Sequence, residues 1–181
     1  ASGSANQAIT GVGFQPDFNW IKDRTGGNSH HLFDAVRGAG ERLRSDSTAA
    51  EDTVNSHTAF NTDGFTLGAV GTGISVSGNS HVAWNWKAGT SVSGNSSGSG
   101  TAQSYTGSVN TDAGFSIIKY TGNGTDGMQV PHHLGVVPDA IFIKSLTTQS
   151  WNCFFPNALG ADKGLQLDNT GIKIDKRARK Y

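Results

Sequence analysis

Acidic side chains are the first candidates for chemistry in this sequence, because hydrolysis of a glycosidic bond needs two carboxylates at a fixed separation. The chain contains two glutamates, Glu41 and Glu51, and neither stands in an alternating strand pattern that would bring two acids together. The aspartates are more numerous, but most stand in turn sequences, as Asp63 and Asp139 do. We therefore expect a protein that is not an enzyme and has no catalytic residue.

Histidines are the second candidates, because neutral imidazole is a common metal ligand. Four of the six histidines form two adjacent pairs, His30-His31 and His132-His133. Neighbouring residues of a strand point to opposite faces, so each pair offers one ligand to each face. Since no cysteine or carboxylate stands beside them at metal-ligand spacing, the sequence predicts no metal site and no cofactor.

Aromatic residues are candidates for sugar binding, which needs an exposed ring together with polar hydrogen-bonding groups. Trp151 is the strongest of these, because the internal repeat described below places Ser29 at the equivalent position, so the shared core does not require an indole there. The alternative is that Trp151 packs beneath its own loop. Asp34 and Arg37 flank a turn, and we expect them to form a local salt bridge that orders it.

The composition favours an all-β protein. Of 181 residues, 25 are glycine and only 15% are charged, which fits many turns and fits a helical bundle poorly. The formal net charge is zero, which argues against a nucleic-acid partner. One cysteine, Cys153, permits no internal disulfide, and no apolar run is long enough to predict membrane insertion. Because the chain lacks an initiator Met and a visible signal peptide, we expect it to be a portion of something longer.

An internal repeat dominates the organisation of the chain. Sliding the sequence by 122 positions aligns residues 13–48 with 135–170 without a gap, and twelve of the aligned pairs are identical. Each copy begins with Gly-x-x-Pro-Asp, a turn sequence, and continues with an apolar strand and a glycine-containing hairpin. The pattern predicts an antiparallel β-sandwich or jelly roll built from two related half-repeats.

Four segments follow from this repeat. Residues 1–88 are predicted to form repeat one, and 89–113 a Gly/Ser-rich linker or long loop. Residues 114–170 form repeat two, which shares sheets with repeat one or with a neighbouring chain, and 171–181 form a basic C-terminal tail.

One strand of repeat one alternates clearly in sequence, from His81 to Lys87. Val82, Trp84 and Trp86 fall on the same face, and we expect the two indoles to belong to the core.

Several strings of the sequence resemble a module of phage virion structural proteins, notably tail-fibre-like proteins of marine phages. They are Gly11–Arg24, His31–Ala39, Phe60–Leu67, Val82–Gly89, Gly114–Gly124 and Pro131–Gly135, and the resemblance covers nearly all of residues 11–170. It implies a lectin-like β-sandwich located on the virion and assembled in the host cytoplasm. The resemblance assigns no binding residue to a position of this sequence.

The leading functional hypothesis is therefore a non-enzymatic virion surface protein, a tail-fibre, spike or adhesin module for host attachment. Its expected partners are other virion subunits, further copies of itself in a homo-oligomer, and a host-surface glycan. The alternative is a structural capsid decoration or filament-forming subunit assembled by strand sharing. A glycan-active enzyme is the lesser alternative.

Overall fold

The computed structural model describes residues 6–69, 73–160, 163–169 and 174–175, and in them the chain is almost entirely β. One short helix, α1, spans Pro156–Leu159. The strands, in chain order, are β1 Gln7–Thr10, β2 Phe18–Asp23, β3 His31–Asp34, β4 Gly38–Leu43, β5 Asp52–Thr53, β6 His57–Asn61, β7 Gly64–Leu67, β8 His81–Trp86, β9 Thr90–Asn95, β10 Ser97–Gly98, β11 Ser104–Asn110, β12 Phe115–Tyr120, β13 Met128–Gln129, β14 Ile141–Ile143, β15 Asn152–Phe154, β16 Lys163–Leu165 and β17 Ile174–Asp175.

Repeat one is a sandwich of two antiparallel sheets. A five-stranded sheet in the order β5-β4-β3-β2-β8 packs against a three-stranded sheet in the order β1-β7-β6. Their inner faces form one apolar cluster of fully buried side chains, because alternate residues of each strand point inward. Its members are Ile21, Phe33, Phe65, Leu67 and Ile74. The predicted all-β sandwich is confirmed.

A histidine lies inside this cluster. His57 is fully buried, and its ring stacks 4.6 Å from the ring of Phe33. Its Nδ1 lies 2.8 Å from the Ala39 carbonyl oxygen, and its Nε2 lies 2.9 Å from the side-chain oxygen of Asn19. Burial lowers the pKa of His57 to about 4, against the smaller opposing effect of the Ala39 carbonyl, so the ring is neutral at pH 7.

Repeat two reproduces the sheet order of repeat one. Strands β14-β15-β16-β17 follow one another as β2-β3-β4-β5 do. The pair Lys163↔Asp175 is the pair Glu41↔Thr53 moved by 122 positions. Gly13 and Gly135, which open the two copies, both have positive φ, at 83° and 75°. The repeat read from the sequence is therefore a repeat of structure.

The two repeats share a core rather than a sheet. Leu32 and Leu43 of repeat one pack with Trp151 and Cys153 of repeat two in a second buried cluster. Two backbone hydrogen bonds also join the repeats. Glu51 N–H donates to the Leu146 carbonyl oxygen, and Gln149 N–H donates to the Thr48 carbonyl oxygen. Within the described residues, no strand after 114 pairs with a strand of residues 7–86, so the repeats of one chain do not share a sheet there, and sharing with a neighbouring chain stays a prediction.

The segment 89–113 is also corrected by the structure. Instead of a linker or long loop, it contains β9 and β11, and β11 pairs with β9 on one side and with β12 on the other in a three-stranded sheet. Tyr105 and Val109 of β11 are buried, and these residues provide the apolar side chains that the Gly/Ser-rich composition obscured. Of the predicted basic tail 171–181, the structure describes only the two residues of β17, and the rest lies outside the described residues.

Candidate functional site

The alternation of β8 places its two indoles on the outside of the first sandwich. Ala83 packs against the buried cluster of repeat one, whereas Trp84 and Trp86 point to the opposite face and are 45% and 37% exposed. The prediction that they share one face of a strand is confirmed, and the assignment of both indoles to the core is wrong. The reason is that the small Ala83 and the polar Asn85, which bonds Asn19, occupy the inner side of this edge strand.

Neighbouring aromatic rings hold these indoles in place. Trp84 meets Trp20 edge to face at 6.3 Å between ring centroids, and Trp86 meets Phe18 in the same way at 5.4 Å. Phe115 of β12 stacks on Trp86 at 6.0 Å with an interplanar angle of 17°. We call this set, Phe18, Trp20, Trp84, Trp86 and Phe115, the indole face. Such contacts orient the rings and leave a rigid apolar surface.

His30 lies beside the indole face and adds a polar group to it. The Trp20 indole N–H donates to His30 Nδ1 at 2.7 Å, which places the proton of the neutral ring on Nε2. The pKa of His30 is lowered, mainly because the ring is partly buried. Lys22 adds to this effect, and the Asp46 carboxylate opposes it. The ring is therefore a fixed, neutral donor beside the exposed indoles.

Trp151, the residue predicted to bind carbohydrate, is not exposed. Its side chain is buried at 6% exposure between the repeats, and its indole N–H donates to the Arg44 carbonyl oxygen at 2.7 Å. The prediction of an exposed platform at Trp151 is wrong, because docking of repeat two onto repeat one covers this loop-to-strand junction. Cys153 beside it is also buried, and burial raises the pKa of its thiol to about 11.

The other residues singled out in the sequence have structural partners. Asp34 and Arg37 form the predicted salt bridge, with Nε 2.5 Å from Oδ2, and Arg37 also bonds Glu51 at 2.8 Å. Glu41 instead accepts a hydrogen bond from the Thr53 hydroxyl, so the two glutamates are not brought together. These carboxylates order loops and strand edges.

The members of the two histidine pairs have different hydrogen-bond partners and do not converge on one site. His132 Nδ1 accepts a hydrogen bond from the Leu134 N–H, and His133 Nε2 lies 3.0 Å from the Tyr105 hydroxyl. His30 bonds Trp20, as described above, and His31 is buried on the other face of the five-stranded sheet. Across the described ranges, no group of three or more His, Cys, Asp or Glu side chains could hold a metal ion.

Comparison with known proteins identifies a family for this chain. No curated protein and no solved structure matches the chain. Among the residues described, no helix is long and apolar enough to cross a membrane. A family model described as a domain of unknown function, DUF7483, matches residues 1–180.

Proposed function

The chain belongs to the DUF7483 family, and we propose that it is a non-enzymatic module of a phage virion surface protein, in a tail fibre or spike, that attaches to a host glycan. The observation that carries the proposal is the indole face, where Trp84 and Trp86 remain partly exposed, at 45% and 37%, on a well-packed β-sandwich. The resemblance of residues 11–170 to tail-fibre-like modules supports the virion location.

The chemistry of the indole face suits a sugar ring. Indoles stack against the C–H face of a pyranose, and a neighbouring donor such as His30 Nε2–H fixes the orientation of a hydroxyl. The contacts of Trp84 with Trp20 and of Trp86 with Phe115 hold the rings before a ligand arrives. Binding then loses less side-chain entropy, which favours affinity.

A glycan array on the whole chain tests this function, with Trp84→Ala as the informative variant. We expect selective binding to a small group of glycans and a loss of at least about tenfold in affinity, or ~1.4 kcal/mol, for the variant. Tyr120→Ala is the matched control, because Tyr120 is similarly exposed, at 43%, outside the indole face. Equal affinities for Trp84→Ala, Tyr120→Ala and the unchanged chain would contradict the proposal.

A second candidate function, a structural subunit assembled by strand sharing, is favoured by one observation on repeat two. Ile143 is only half-buried, whereas its counterpart Ile21 is 2% exposed beneath β7. Within the described residues no strand pairs with the edge of β14 that corresponds to the β2–β8 contact, and Phe142 on that strand is 48% exposed. An edge of this kind accepts a strand from another chain.

Sedimentation of the whole chain tests the second candidate. Strand sharing predicts a discrete oligomer that dissociates when Phe142→Lys places a charge on the edge strand. Thr90→Lys, on an exposed residue of the separate β9 strand, is the control and should leave the oligomer intact. A monomer at all concentrations, with glycan binding retained, would leave host attachment as the function.

A further inference from the structure

A groove lies on the side of repeat one away from the indole face. It has a volume of about 770 Å³ and lies where β3 begins and where β4 and β5 end. Its polar lining includes Ser29, His31, Arg42, Arg44 and Asn55, which we call the arginine groove. This volume is in the range of sites that enclose a small organic ligand and is much larger than a single inorganic ion needs.

His31 lines this groove and has a buried ring nitrogen that the described residues leave unpaired. The side chain is 3% exposed, and its Nε2 lies 3.4 Å from Arg42 Nη1, which can only donate. The neutral ring therefore carries its proton on Nδ1. That buried nitrogen has no hydrogen-bond partner among the described residues, although buried donors are almost always paired.

Two guanidinium groups share one carboxylate beside His31. Arg42 donates to both oxygens of Asp52, and Arg44 donates to Oδ2 of the same carboxylate at 2.8 Å. These three groups sum to +1, and the Asp46 carboxylate, whose charge also acts on His31, brings the total to zero. Glu41, the neighbour of Arg42 on β4, points to the opposite face of the strand, where it bonds Thr53. The groove thus combines two guanidinium groups, each with five N–H donors, and a buried unpaired ring nitrogen.

We propose that the arginine groove binds an acidic saccharide through its carboxylate group. The carboxylate accepts hydrogen bonds from the Arg44 guanidinium, which can only donate, and it lies beside the His31 ring, whose buried Nδ1–H is the neighbouring unpaired donor. Ser29 and Asn55 line the same groove and supply partners for sugar hydroxyls. This site is separate from the indole face, so acidic-sugar binding in the groove does not depend on glycan binding at the indole face.

Titration calorimetry on the whole chain tests the site with four probes, namely glucuronate, N-acetylneuraminate, neutral glucose and inorganic phosphate. We expect at least one acidic sugar to bind, and glucose and phosphate to bind at least about tenfold more weakly, because charge-assisted hydrogen bonds and hydroxyl contacts are both required. Arg44→Gln should weaken acidic-sugar binding by about tenfold or more. Arg24→Gln, the same change at an exposed arginine outside the groove, should not alter it.

A measurement on the chain without substitutions does not depend on whether the variants fold. In nitrogen-15 spectra, the Nδ1 resonance of His31 should move on addition of the acidic sugar and stay in place with glucose. The Trp84→Ala variant should bind the acidic sugar in the groove as the unchanged chain does. Phosphate binding as tight as the acidic sugar, equal binding by Arg44→Gln and Arg24→Gln, or an unmoved His31 resonance would each overturn the proposal.

Discussion

Replacing Trp151 by alanine is expected to lower the free energy of unfolding by about 3–5 kcal/mol, the usual cost of removing a large buried aromatic side chain. The indole packs with Leu32, Leu43 and Cys153, and these contacts join the two repeats. Its loss also leaves the Arg44 carbonyl oxygen without the indole N–H. Urea unfolding followed by circular dichroism measures the change.

The matched control for this substitution is Trp84→Ala, which removes an indole that is 45% exposed. Because less apolar area is lost from the interior, we expect its cost to stay below about 1.5 kcal/mol. The two variants therefore separate stability from recognition, since Trp151→Ala weakens the fold and Trp84→Ala weakens glycan binding. Equal destabilisation by the two substitutions would show that Trp151 does not hold the repeats together.

Lowering the pH from 6.5 to 4 is expected to destabilise the protein strongly, because two histidines are buried in the neutral form. The pKa of His31 and the pKa of His57 are both about 4, against an ordinary value of 6.5. Burial is the main cause for both, and Arg42 and Arg44 add to the effect at His31, where Asp52 and Asp46 oppose it. In this window the unfolded chain binds protons that the folded chain does not.

The expected slope is about 1.4 kcal/mol of unfolding free energy per pH unit for each histidine, with stability falling as the pH falls. Carboxylates add a loss of the same sign at lower pH, because the pKa values of Asp23, Asp52 and Asp63 are lowered, so these groups stay ionised in the folded protein while the unfolded chain takes up protons. Their stabilisation is lost below pH 4.

Urea titrations at several pH values between 4 and 7 measure this slope. His57→Gln should be less stable at pH 7 and should show about half the slope, since one titrating group is gone. An unchanged slope in that variant would mean that His57 does not titrate on unfolding.

Local sequence signals predicted much of the fold. The Gly-x-x-Pro-Asp turns, the alternation of β8 and the Asp34–Arg37 pair each depend on residues close together in the chain, and each was found. The same signals failed for Trp84 and Trp151, whose exposures are the reverse of those predicted. Alternation shows that residues share a face, but not which face another segment will cover.

The arginine groove shows the same limit more sharply. In the sequence, His31 is one member of an adjacent histidine pair, and no local pattern distinguishes Arg42 and Arg44 from other strand residues. Strand alternation brings the two arginines to one side of the chain, and pairing of β4 with β3 and β5 then brings them to His31 and Asp52. Contacts across strands depend on register, and register is set by the whole sheet.

The sequence alone determined that this protein is an all-β chain with two related halves, because apolar alternation and turn residues act over a few positions. Only the tertiary structure decided that the halves meet through Trp151, that the indoles of β8 remain outside, and that His31 is buried beside two arginines. Burial arises when segments distant in the chain dock, as Trp151 does with Arg44. The free energy of that docking comes from contacts between distant segments, so no single stretch of residues predicts it.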